Sequence, residues 1–241
     1  MILQEWFNFS KGRSYNTFIG GLGGSQFTTK TQLASFLSLN ESDIDYFNVN
    51  GNDIRCNILN NYNIPTGAFN NNTDITSYVD RDGKVQAILG LNVQSGAFLG
   101  TTNLKKGVFP NVTTLGGFVF QNSGIEEISM PNLLTITDTL TFANTKLRKA
   151  EFRKLTTDVS NTFSGCSLLE EAYFDDLSIV SNGMLQNCVE LHKLYTPKAT
   201  QIKNSALANC GKLVNYGFGN VEIVGSSASN NKTFLGTSFT S

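Results

Sequence analysis

The chain has 241 residues, of which 40% are hydrophobic and 15% charged, with a formal net charge of −1. That length can bury a sizeable core, and the absence of a basic excess argues against nucleic acid as a partner. Solubility must come instead from Asn, Ser, Thr and Gly.

From the N-terminus, Met1 to Phe9 (MILQEWFNF) is too polar at Gln4 and Glu5, and too short, for a signal peptide or a membrane span. No export and no membrane insertion are therefore expected: the chain stays in a cytoplasm or joins a particle that leaves by lysis. Trp6, Phe7 and Phe9 cluster in this aromatic leader, residues 1–18, either as a strand packed on the first coil of the fold or as a docking anchor for another subunit. Residues 19–25, IGGLGGS, read as a flexible linker. A phosphate loop would need a Gly-Lys-Ser/Thr ending or Gly-x-Gly-x-x-Gly between strand and helix, and the run leads to Gln26 and Phe27 instead. Residues 26–63 predict a small helix and hairpin cap. Thr29 and Gln32 fit a capping box before Leu33, Phe36 and Leu37, and Asn50-Gly51 separates two apolar runs.

Residues 64–241 read as a solenoid. Ile64 opens a first coil whose strand, Ile75 to Asp80, is followed by Arg81-Asp82-Gly83 and Lys84 to Ile88, an excess that suggests a hairpin extension. Asp80-x-Asp82-Gly83 looks like the start of a calcium loop, but the later ligands are missing and turn chemistry accounts for it. From there, aliphatic residues at Val93, Leu115, Ile136, Val159, Val180, Ile202 and Val224 recur at a mean step of about 22 residues. Each repeat then carries a large apolar residue, a small polar or Cys position and Leu-x-x-Φ-x-Φ, as in Leu147/Ala150/Phe152 and Leu169/Ala172/Phe174. Neighbouring coils must shield these side chains, each worth roughly 1.5 to 3 kcal/mol on burial.

This pattern, Ile/Val-x-x-x-Ala/Thr/Phe-Phe/Leu-x-x-Cys-x-x-Leu with Pro110, Pro131 and Pro197 after the strand, resembles the BspA-type leucine-rich repeat. The resemblance covers about residues 64 to 240 and implies a solenoid of short parallel strands with little helix. Cys is replaced by Asn122 and Asn144 at its column, and the coil after Ile75 is interrupted. Cys166, Cys188 and Cys210 stand three residues before Leu169, Leu191 and Leu213 and so form one buried, reduced column; with Cys56 they provide no paired zinc motif.

The residues offer little for catalysis, and neither a cofactor nor a metal is expected. His192 has no Ser or Cys nucleophile beside it. Glu126/Glu127 and Glu170/Glu171 could suggest a carbohydrate-active enzyme. They fit better in a series of outward pairs, Lys105-Lys106, Glu126-Glu127, Arg148-Lys149, Glu170-Glu171, His192-Lys193 and Val214-Asn215, whose alternating charges form a ladder that pins register. Glu171, Tyr173, Lys193 and Tyr195 form the candidate interaction surface. The expected function is a non-enzymatic structural or adhesive module, a bacteriophage fibre or decoration protein located on the virion, or alternatively a bacterial cell-surface adhesin. Its partners would be other virion or surface proteins, copies of itself, or a host glycan or protein receptor.

Overall fold

The computed structural model describes residues 15–21, 27–92, 94–221 and 223–225; Trp6, Phe7 and Phe9 lie outside them. The cap comprises β1 (Thr17–Gly20), α1 (Lys30–Phe36), β2 (Ile44–Asn50) and β3 (Asp53–Ile58). The coils then run through β4 (Tyr62–Ile64), β5 (Ser77–Asp80), β6 (Val85–Ile88), β7 (Lys106–Val108), β8 (Thr114–Leu115), β9 (Glu127–Ser129) and β10 (Thr135–Ile136). The later coils contain β11 (Lys149–Glu151), β12 (Glu171–Tyr173), β13 (Ile179–Val180), β14 (Lys193–Thr196), β15 (Gln201–Ile202), β16 (Asn215–Phe218) and β17 (Ile223–Val224). They make a β-solenoid of about seven turns with little helix.

Each coil gives one strand to each of two stacks, except that the coil of β11 reaches the second stack only through a single bridge from Thr157 to Thr135. One stack orders β2-β3-β1-β5-β7-β9 and resumes as β11-β12-β14-β16; the other runs β4-β6-β8-β10 and resumes as β13-β15-β17. Between coils all pairing is parallel, as in β12 with β14. The connecting turns form a third ladder, in which Phe98, Phe120, Phe142, Phe163 and Leu185 donate their N–H groups to Val119, Thr141, Thr162, Met184 and Ala206 carbonyls at 2.8 to 2.9 Å.

The core results from this stacking. Phe69, Phe98, Phe120, Phe142 and Phe163 are fully buried in one column. Their successive ring centroids lie 4.8, 5.1, 5.2 and 5.1 Å apart with planes within 7° of parallel. Offset ring stacking accepts that distance, and it is close to the strand spacing of about 4.8 Å, so one translation satisfies both. Leu185 and Leu207 continue the column.

At the N-terminal end the cap covers the column. Thr29 caps α1 in a complete capping box with Gln32, and Phe36 packs edge-on against Phe69 at 5.0 Å. β1 lies antiparallel between β3 and β5. The linker expected from residue 19 therefore begins inside a central strand: Ile19 is fully buried, and only Gly21 of the stretch after β1 is described. Cutting the chain at residue 24 would remove the strand that joins hairpin to solenoid.

Three register expectations need correction. Ile88, paired with Ile64 on one side and Leu115 on the other, takes the place expected for Val93, which is outside the described residues. β5 and β6 pair in different stacks, so the stretch between them is no hairpin extension; the Asp80 carboxylate instead accepts N–H bonds from Lys84 and Val85 at 2.9 and 2.8 Å to brace a turn. Thr157 sits opposite Thr135, which puts Asp158 rather than Val159 in the aliphatic column beside Ile136. Asp158 accepts hydroxyl bonds from Thr162 and Ser181, and burial pushes its pKa up to about 6.

Fourth, Asn122 and Asn144 do not stand in the cysteine column. They share left-handed backbone with Gly165, Asn187 and Asn209, with φ between 57° and 74°. Asn and Gly tolerate this conformation best. Asn144 donates to Asn122 at 3.0 Å and Asn209 to Asn187 at 2.7 Å. The cysteine column is completed by Thr145, whose hydroxyl lies 3.1 Å from the Cys166 sulfur, and by the buried Ser123. Cys166, Cys188 and Cys210 donate to the Phe142, Phe163 and Leu185 carbonyls at 3.0 to 3.3 Å. All four cysteines are free and buried, and burial raises their thiols, Cys166 to about 11 and Cys210 to about 12.

Phe142→Ala should destabilise the protein by about 3 to 5 kcal/mol, because the rings above and below cannot close the gap; a melting curve like wild type would refute the stack. Asp158 binds its proton more tightly folded than unfolded, so its contribution to stability is complete below about pH 4 and is lost as pH rises through about 6. Stability should fall across that window by on the order of 2 to 3 kcal/mol, and Asp158→Asn should flatten that part of the profile. Denaturant titrations at a series of pH values measure both effects.

Candidate interaction face

The candidate residues come together on the outer surface of the β11-β12-β14-β16 sheet. Glu171 pairs with Lys193 and Tyr173 with Tyr195 across β12 and β14, and β14 in turn sets Lys193 against Asn215 and Tyr195 against Gly217 of β16. Ala150, Ala172 and Leu194, between them in sequence, point into the core. A repeated bend at the start of successive strands lets a second residue per coil stay outside. The N–H groups of Glu170 and Glu171 both reach the Arg148 carbonyl at 2.8 and 3.3 Å, and those of His192 and Lys193 both reach Glu170 at 3.0 and 3.3 Å. Two residues facing one acceptor break the pleat's alternation, so adjacent charges share the solvent side.

The charge ladder forms across two of its four strand gaps. Lys105 reaches Glu126 at 2.8 Å, Lys106 reaches Glu127 at 3.0 Å and Arg148 reaches Glu170 at 2.6 Å. It changes direction at Lys149, which turns along its own strand to Glu151 at 2.6 Å. Arg153 joins Glu151 to Asp175 at 2.8 and 2.9 Å. Lys149 and then Arg153 hold the Glu151 carboxyl below its ordinary pKa. Exposed pairs of this kind each contribute little, roughly 0 to 1 kcal/mol.

Tyr173 is the hub. Its hydroxyl donates to Glu171 at 2.7 Å, while Lys149, Arg153 and Lys193 place their cationic groups 5.0, 5.1 and 5.1 Å from its ring centre. Contact with the Tyr173 hydroxyl raises the Lys193 ammonium pKa above its ordinary value. Tyr195 is different: it is 40% exposed, and its ring edge lies over Gly217, where an added Cβ would meet Cδ2 at 2.8 Å. The sequence pattern did not mark Lys149, Glu151, Arg153 and Gly217 as neighbours of the tyrosines. The 22-residue column could have shown Gly217 behind Tyr195, but not the turn of Lys149 toward Glu151.

His192 is exposed on the same sheet. Among the described residues no group of three or more His, Cys, Asp or Glu side chains could hold a metal, and no helix is long and apolar enough to cross a membrane. A surface cleft of about 440 Å³ lies where the cap meets the first coils, lined by Gly21, Asn52, Asp53, Thr73, Asp74, Thr76 and Asn103.

Glu170→Lys would set a new ammonium against Arg148 and beside His192. It should cost about 0.2 to 1 kcal/mol at low salt, with the loss shrinking as salt screens the repulsion. Melting temperatures at two ionic strengths test this, and an unchanged low-salt value would refute the pairing.

Comparisons with known proteins agree with this architecture. The BspA-type leucine-rich repeat region matches residues 91–214 in 6 copies. A crystal structure of a leucine-rich repeat protein from Bacteroides ovatus superposes with a TM-score of 0.51 at 21% identity, over 66% of this chain and 46% of that one. This chain thus spans less than half of that protein's length, and the likeness concerns the fold alone. No curated protein matches the sequence. Repeat period, parallel stacking and the family match over half of the chain converge, and the chain belongs to the BspA-type leucine-rich repeat family.

Proposed function

We propose that this chain is a non-enzymatic attachment module, carried on a bacteriophage particle as a fibre or decoration protein, whose outer sheet face contacts the partner. The observation that carries the reading is the pair of tyrosines at matching positions on β12 and β14: Tyr195 is exposed, and the side chains around Tyr173 are held by ion pairs. Such an array presents a broad rigid surface of the kind that solenoids use for binding, and aromatic anchors dominate binding energy at interfaces. The low charge and the polar, Asn-rich composition support placement on a virion.

A second reading, a bacterial cell-surface adhesin, is favoured by the family match and by the bacterial source of the structural neighbour. Capsid and tail genes around the coding sequence would support the first reading, and surface-protein genes the second.

Full-length protein should bind particles or cells from its source. Tyr173→Ala combined with Tyr195→Ala should weaken that binding about tenfold or more, with little change in melting temperature. Co-sedimentation measures the effect, and a double variant that binds like wild type would place attachment elsewhere on the chain.

A further inference from the structure

The outer face changes character between β12 and β16. Around Tyr173 every acid already has a partner: Glu171 takes the tyrosine hydroxyl, Glu151 takes Lys149 and Arg153, and Asp175 takes Arg153. Three cations crowd the Tyr173 ring at 5.0 to 5.1 Å. One strand further on, Tyr195 is flanked by Lys193 and by Asn215 and Gly217 of β16.

Gly217 is what makes Tyr195 a platform. A Cβ at residue 217 would lie 2.8 and 3.1 Å from ring atoms Cδ2 and Cε2, so any larger residue would lift the ring off the sheet. With glycine there, the ring rests on the β16 backbone while 40% of the residue stays open to solvent. A tyrosine so placed offers rigid contact area at low entropic cost, since only two side-chain torsions need be fixed.

We propose that Tyr195, with Lys193 and Asn215 beside it, is a carbohydrate-binding subsite that stacks one sugar ring of an uncharged glycan. This deepens the attachment reading and rests on it. Charge complementarity selects the class. Lys149 and Arg153 are taken by Glu151 and Asp175, and Lys193 lies against the Tyr173 ring and hydroxyl opposite Glu171, so an ionic partner would have to displace these contacts, whereas a polyol can donate to and accept from the groups as they stand. A docked amphipathic helix would need an apolar groove for its anchors, and around Tyr195 the sheet instead presents an ammonium, an amide and bare backbone, with the exposed Val214 standing beside Asn215 but forming no groove with it. The stacked sugar puts its apolar C–H face on the ring, with its hydroxyls in reach of Lys193 and Asn215.

The test applies full-length protein to an array of immobilised neutral and acidic oligosaccharides. Wild type should bind neutral glycans, and binding should persist at about 0.5 M salt, where ionic contacts are screened. Tyr195→Ala should lose about tenfold or more, while Tyr195→Phe, which keeps the ring, stays within about threefold and both variants melt like wild type. Absence of wild-type binding to any glycan, unchanged binding by Tyr195→Ala, or binding confined to acidic glycans and abolished by salt would overturn the subsite. Periodate treatment of the target surface separates this from the broader reading. If attachment survives periodate but is lost in the double tyrosine variant, the face is an attachment face and its ligand is not carbohydrate.

Discussion

A phenyl ring stacked on the ring of the preceding coil leaves room for only one translation between coils. In the column from Phe69 to Phe163 that translation is 4.8 to 5.2 Å between centroids, and the parallel strands on either side require nearly the same step. Strand pairing, the turn ladder and ring stacking therefore reinforce one another, and a shift of any coil would break all three. This agreement allows strands of two to four residues to hold a register that isolated strands of that length could not keep.

The turns place a second constraint on the sequence. Most coils have two left-handed positions: Asn71, Gly100, Asn122, Asn144, Gly165, Asn187 and Asn209 occupy one, and Gly67, Phe118, Leu140, Asn161, Gly183 and Ser205 occupy the other, four residues earlier. Part of the asparagine content thus answers a backbone requirement, with side chains that bond to one another from coil to coil. Composition alone makes those asparagines look like residues kept only for solubility. The same logic explains Cys166, Cys188 and Cys210: a small buried donor suits a place beside the carbonyls of the preceding coil, and a thiol serves there without any redox role, whereas the buried Ser123 hydroxyl in the same column meets no partner among the described residues.

The interaction face depends on both. Because the coils cannot slip, residues 22 apart stay opposed, and Tyr173, Tyr195 and Gly217 form a row. The shared carbonyl at the start of these strands places consecutive charges on the outer side, where they pair locally and hold the Tyr173 surroundings in place. Tyr195 is the open aromatic position in that row, because Gly217 supplies a seat for its ring.

The sequence by itself determined the solenoid, its period and the inward residues of most strands, because apolar spacing along the chain maps directly onto one face of a repeating coil. It also marked the capping box at Thr29 and Gln32, a local interaction within four residues. What it could not fix were matters settled by neighbours distant in the chain. The glycine-rich stretch looked like a linker from residue 19, yet Ile19 is held in β1 by pairing with β3 and β5. Val159 is the more apolar residue, but pairing at Thr157 put Asp158 in the column. Lys149 took Glu151 over Glu171 through side-chain geometry that no spacing encodes. Periodicity records which face a residue occupies; only packing between coils decides which partner it meets there.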